Sequence, residues 1–188
     1  MKKILQILVI ACMVVLSTQV AFANADQEAL QEGADITGIH RLAIGAPLYF
    51  QVDKNAPDLA QLTQIVYDAS KVARTYVVSY DAVADGIKGT KGVDIKSLPR
   101  REAAKVFTNN VADYADAYVV LTVANNSRTE FFFDVFKAGT DKELLYTYRI
   151  RANKSESDNV ETFTNLSEQF YKHFERAAND QQKKADKK

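Results

Sequence analysis

The chain holds 188 residues with 24 basic and 24 acidic side chains, two histidines, one cysteine, nine tyrosines, ten phenylalanines and no tryptophan. Without Lys2 and Lys3, which open a leader, the basic count falls to 22 and the net charge to −2, which is not the footprint of a nucleic-acid binder. The one cysteine, Cys12, also lies in the leader, so a mature chain has no disulfide, cysteine nucleophile or thiolate metal site.

Lys2 and Lys3 stand before an apolar run over residues 4–16, and Ala21 and Ala23 flank Phe22 in the small-x-small pattern that signal peptidase reads. Residues 1–23 are therefore expected to be a signal peptide, with the protein exported to the periplasm or outside the cell. A cut after Ala25 would satisfy the same pattern. Val9, Ile10, Ala11 and Cys12 loosely match a lipoprotein cleavage box, but a cut there would leave four apolar residues, 13–16, behind the lipid, so no lipid anchor at Cys12 is expected. No later segment reaches the roughly 18 apolar residues of a membrane span, so no transmembrane segment is expected in the mature chain.

Residues 24–37 are polar and read as a flexible arm. Residues 179–188 carry four lysines against two aspartates and read as a basic disordered tail. Residues 38–178 lie between them, enough for one domain with a proper core and too few for two.

Within that domain, Ile39, Leu42 and Ile44 lead to Gly45 and Pro47, then to Leu48, Tyr49 and Phe50, the pattern of a strand bent at the Gly and Pro. Asn55, Pro57 and Asp58 start a helix in which Leu59, Leu62, Val66, Ala69 and Ala73 recur at helical spacing. Residues 76–80 form a short strand. Ala82, Val83 and Ile87 then suggest a brief helix that stops at Gly86 or Gly89. Pro99 opens a helix reaching Tyr114, with Ala103, Phe107 and Val111 on one face. Residues 117–123 are apolar at odd and even positions alike, which marks a central strand covered on both faces. Two strands follow. In residues 128–137, Phe131, Phe133 and Val135 alternate with Glu130, Phe132, Asp134 and Phe136; in residues 144–151, Leu144, Tyr146, Tyr148 and Ile150 alternate with Leu145, Thr147, Arg149 and Arg151. Ser157 or Asp158 caps a last helix whose Phe163, Leu166, Phe170 and Phe174 form one stripe, worth roughly 2 kcal/mol for each Phe fully buried. The order β-α-β-α-β-β-β-α predicts a single-domain α/β sandwich: a mixed sheet of about five strands, with an antiparallel meander and helices packed on it.

This order of elements resembles a class of small bacterial envelope domains, most sharply where Tyr114, Ala115, Asp116, Ala117, Tyr118, Val119 and Val120 join a helix to the central strand. The class includes the periplasmic domain of the curli-secretion channel family, the N-terminal domain of the Tol translocation protein and related envelope lipoproteins. The resemblance covers residues 38–178 as architecture and implies a non-enzymatic part of an envelope assembly. The chain departs from the lipidated members in having no convincing lipidation cysteine.

His40 and His173 are far apart and fit no HxH, HxxxH or HExxH spacing, so no metal site is assigned, and no G-x-S-x-G elbow anchors a triad. Asp113 and Asp116 read as residues that stop a helix by bonding local backbone. Asp134 is expected to be half-buried and paired with Arg149 or Arg151 across the strand. The stretch from Gly86 through Gly89 to Gly92, with Lys88 and Lys91, matches neither the dinucleotide fingerprint nor the P-loop and reads as a flexible turn. No catalytic residue, cofactor or nucleic-acid partner is expected. Tyr146 and Tyr148, with Arg149 and Arg151 behind them, resemble a strand edge open to another chain. The expected function is therefore an exported, non-enzymatic envelope module that binds a protein partner or itself. The alternatives are a hydrolase of envelope polymers using His40 or His173, and a small-ligand binder lined by the Phe stripe.

Overall fold

Asp58 begins the first helix with a reciprocal cap: its carboxylate accepts the Gln61 N–H at 2.8 Å, and the Gln61 side chain accepts the Asp58 N–H at 2.9 Å. In the computed structural model, which describes residues 26–51, 56–125, 128–153, 156 and 158–187, this helix is α1 (Leu59–Ala69), followed by α2 (Tyr80–Lys91), α3 (Arg100–Asn110) and α4 (Val160–Ala185). The strands are β1 (Gln27–Leu30), β2 (Arg41–Ile44), β3 (Tyr76–Val78), β4 (Ala117–Asn125), β5 (Thr129–Lys137) and β6 (Leu144–Arg151). They form one sheet in the order β1-β6-β5-β4-β2-β3. β2 is parallel to β3 and β4, while β4, β5, β6 and β1 pair antiparallel in succession. The mixed sheet with its meander is as the sequence predicts; the strand count is six, not five.

The sixth strand comes from the segment expected to be a flexible arm. β1 lies along β6 with Glu28 opposite Tyr148 and Leu30 opposite Tyr146. The basic tail is ordered with it, because α4 continues to Ala185. Gln181, one turn from the helix end, accepts the Ile36 N–H at 2.9 Å and donates to the Ala34 carbonyl at 2.6 Å. The two terminal segments satisfy each other's polar groups across some 145 residues of chain, a pairing no local pattern announces.

Pleat alternation divides the side chains between two cores. On one face Leu42, Ile44, Val119, Leu121, Phe131, Phe133, Val135, Tyr146 and Tyr148 meet α1 and α4, whose Phe163, Phe170 and Phe174 are all at most 2% exposed. Phe133 stacks on Phe170 with centroids 4.3 Å apart, and Phe131 meets Phe163 edge-on at 5.1 Å. The stripe therefore fills the layer instead of lining a pocket. On the other face Ala43 and Tyr118 meet α2 and α3 through Val83, Ala84, Ile87, Ala103 and Phe107.

Two further local expectations change, and one holds. α2 runs through Gly86 and Gly89 and ends only at Gly92, whose φ of 69° is the left-handed cap that glycine supplies. Gly86 is held in the helix because the Tyr114 ring packs where a Cβ would stand. The glycine-rich stretch is thus helical, and Lys88 pairs with Asp94 at 2.7 Å. Asp116 does not bond local backbone: its Oδ2 accepts the N–H groups of His40 and Arg41 at 3.0 and 2.8 Å, tying the start of β4 to β2. After Ile44 the chain leaves strand geometry and returns beside β4 at Leu48, as Gly45 and Pro47 foretell.

Candidate functional site: an uncovered sheet face

The sheet is wider than the helix pair α2 and α3 that packs on its second face. These helices cover β2, β3 and the first part of β4, and they reach β5 only at Phe136. Beyond Phe136, no described helix joins the residues that β4, β5 and β6 present on this side. Thr122, Ala124, Phe132, Asp134, Thr147 and Arg149 are half-buried there. Leu48, at 44% exposure, lies beside Thr122 in the sheet, and Phe50, at 81%, follows it. Arg100 bounds this rim, donating to the Pro47 carbonyl at 2.6 Å with its guanidinium 5.9 Å above the Phe50 ring.

The centre of the face is an assembled charge cluster. Glu130 Oε1 accepts from Arg149 Nε at 2.6 Å and from Arg151 Nε and Nη2 at 3.1 and 2.8 Å. Cross-strand register produces this, because Arg151 stands opposite Glu130 and Arg149 opposite Phe132. The Arg149 guanidinium also lies 4.9 Å above the Phe132 ring. The Glu130 side chain is only 12% exposed, against 39% and 40% for the arginines. One carboxylate thus holds two guanidinium planes whose outer edges face water.

The hydrogen bond from Arg149 holds Glu130 below its ordinary carboxylate range, more strongly than burial raises it. A depressed folded-state value means stability that is present above the unfolded value of about 4.5 and lost as pH falls through the folded one. Replacing Glu130 by glutamine is therefore expected to cost about 1 to 2 kcal/mol near neutral pH, the half-exposed arginines reducing the full value of a charged hydrogen bond. Urea unfolding at successive pH values checks the sign: the gap between wild type and variant should close in acid below 4.5.

Asp134 differs from the sequence expectation in one respect. It is half-buried as expected, but register sets it against Val120 and Thr147, one pair short of the arginines. Burial raises its carboxyl above the ordinary range, and it has no hydrogen-bonding partner among the described residues.

The expected partner edge divides. Arg149 and Arg151 reach the uncovered face, whereas Tyr146 and Tyr148 point into the α4 core at 0% and 1% exposure. β1 occupies the edge of β6, so the tyrosines line no free edge. A clasp fixes β1 in place: Tyr148 donates its hydroxyl to Asp26 at 2.9 Å and stacks on His173, whose Nδ1 lies 2.6 Å from a Glu28 carboxylate oxygen and 2.7 Å from Arg176 Nη2. Arg176 donates to the same Glu28 oxygen at 3.1 Å. His173 therefore has a carboxylate partner, on a surface where it secures a strand. His40 is exposed at the start of β2 and bonds through its backbone. Among the described residues no three His, Cys, Asp or Glu side chains form a group able to hold a metal ion, and no helix is long and apolar enough to cross a membrane. Cys12, Ala21 and Ala23 lie outside the described residues.

No family model matches the chain. No curated protein matches it. Solved structures with a similar course include a PelC dodecamer from Paraburkholderia phytofirmans, 8% identical over 80% of this chain and 96% of that one, TM-score 0.46. The LpoB C-terminal domain from Escherichia coli is 13% identical over 64% and 88%, TM-score 0.48. The hypothetical protein CT253 from Chlamydia trachomatis is 11% identical over 69% and 82%, TM-score 0.38. At these values the likeness is one of general α/β layout, and function is read from this chain's own residues.

Proposed function

We propose that the protein is an exported, non-enzymatic module of the cell envelope that binds a protein partner on the uncovered face of β4, β5 and β6. The leader read from residues 1–23 supports export. The observation that carries the binding role is the Glu130–Arg149–Arg151 cluster beside Phe132, half-buried on a sheet face that no described helix covers. Arginine planes and aromatic rings held in fixed orientation make dominant contacts at protein interfaces, because little conformational freedom remains to be lost on binding. Asp134 adds a partly desolvated carboxylate beside this cluster, a position that favours a cation from the partner.

The test compares wild type with the double variant Phe132→Ser, Arg149→Glu. Proteins crosslinked in the native envelope by a photoreactive residue at Thr147, two residues from Arg149 on the same face of β6, identify the partner; the purified pair is then titrated. The variant should lose about a hundredfold or more in affinity, as expected for two central contacts. Its unfolding should remain cooperative, with a midpoint lower by about 5 to 10 °C through the lost bond to Glu130. Equal affinity of variant and wild type, or no crosslinked partner at all, would reject the face as the binding surface.

A further inference from the structure

The uncovered face presents two groups without partners among the described residues. Arg149 gives only its Nε to Glu130, at 2.6 Å, whereas Arg151 gives both Nε and Nη2. The two Nη groups of Arg149 have no hydrogen-bonding partner among the described residues. Asp134 is the other: half-buried, opposite Val120 and Thr147, with no cation beside it. Register explains why the two do not satisfy each other. Arg149 stands opposite Phe132, with Glu130 on one diagonal of β5 and Asp134 on the other. Its guanidinium is drawn over the Phe132 ring to Glu130, and one side chain cannot serve both diagonals.

The charge on this face is balanced. Arg149 and Arg151 against Glu130 leave one positive charge in excess, Asp134 supplies one negative, and β4, β5 and β6 present no other charged side chain on this side. A surface with both a vacant guanidinium edge and an unmet carboxylate is complementary to a copy of itself. In a two-fold contact every cross-pair occurs twice, so one arrangement answers both groups in both copies. The register supplies that arrangement. Asp134 and Arg149 end one diagonal of a four-residue block, and Phe132 and Thr147 end the other. A two-fold axis along the second diagonal, in the plane of contact, exchanges the first pair. It sets Arg149 of each copy against Asp134 of the other and brings the two Phe132 rings together on the axis. The shape agrees. α2 and α3 reach β5 only at Phe136 and leave a recess one helix layer deep, about 10 Å, which is the spacing of two sheets packed face to face.

We propose that the occupant of this face is a second copy of the chain, joined by reciprocal Arg149–Asp134 pairs around a central Phe132 contact. The inference rests on the reading of the face as a binding surface and names its partner. A foreign protein would have to bring an acid and a base at this diagonal spacing. A second copy carries both already.

The chain from residue 24 onward is run by sedimentation velocity at about 5, 50 and 200 μM, a range that brackets micromolar association. Wild type should pass from monomer toward dimer and stop there, since a two-fold contact closes. Asp134→Lys and Arg149→Glu each set like charges together twice per dimer, and each alone should weaken the dimer about a hundredfold or more. Mixed in equal amounts, the two variants should recover a dimer within about tenfold of wild-type strength, because each supplies the charge the other lacks. Lys183→Glu, on α4 in the opposite layer, should dimerise as wild type does. Cooperative thermal melts establish that each variant is folded. Asp134→Lys leaves the Glu130 cluster whole, so its result stands even where Arg149→Glu is too unstable to mix. A wild type still monomeric at about 200 μM, a dimer that survives Asp134→Lys, or a mixture of two folded variants that stays monomeric would overturn the second copy as occupant. The Thr147 photoprobe separates that outcome from failure of the surface itself. Capture of a different protein there overturns the pairing and keeps the face as a binding site, whereas capture of nothing rejects both.

Discussion

Replacing Phe133 by alanine is expected to lower the free energy of unfolding by about 3 to 5 kcal/mol, the range for truncating a buried aromatic side chain. Phe133 is 0% exposed at the centre of β5, stacked on Phe170 at 4.3 Å with only 11° between the ring planes. Phe131 touches it on one side at 5.8 Å, so the void is bounded by rings that cannot easily collapse into it. The urea midpoint should fall by about 1.5 to 3 M with the slope unchanged, since the exposed surface of the unfolded chain is nearly the same. The same change at Phe132, one residue away on the opposite face, should cost about 1 kcal/mol or less, because that ring is partly in water and no described helix packs over it. If the two substitutions cost the same, the division of β5 between a covered and an uncovered face is wrong.

Removing residues 26–31 is expected to cost at least about 3 kcal/mol and to make the protein self-associate further as its concentration rises. The deletion strips the ladder from β6, the Asp26 acceptor from Tyr148 and the Glu28 carboxylate from His173 and Arg176. It also uncovers the edge beside Tyr146 and Tyr148 that β1 protects. Sedimentation velocity across a concentration series, together with urea unfolding, reads both effects. An unchanged sedimentation coefficient and midpoint would show that β1 contributes nothing to the folded state. The result also bears on the tyrosines: they become an edge available to another chain only once β1 is gone.

Local periodicity carried the strands and helices into view because it is a property of consecutive residues. The alternation of Phe131, Phe133 and Val135 with Glu130, Phe132 and Asp134 requires a two-faced strand wherever that strand sits. The Phe163, Leu166, Phe170 and Phe174 spacing requires a buried helix face, and the structure buries it. Glycine misled where tertiary contact overrode propensity: the helix penalty of Gly86 is outweighed by the close packing of Tyr114, so α2 reaches Gly92.

By itself the sequence determined the mixed α/β class, the meander, the faces of β5 and β6, and the presence of Arg149 and Arg151 on a wet surface. Only the tertiary structure decided that Glu130, and not Asp134, gathers both arginines, since cross-strand register depends on where each turn places its strands. It alone decided that β1 closes the β6 edge and that the end of α4 fastens residues 34–36. Each of these joins residues far apart in the chain, and what selects such a pair is the burial and hydrogen bonding that both ends gain together, which neither end displays alone.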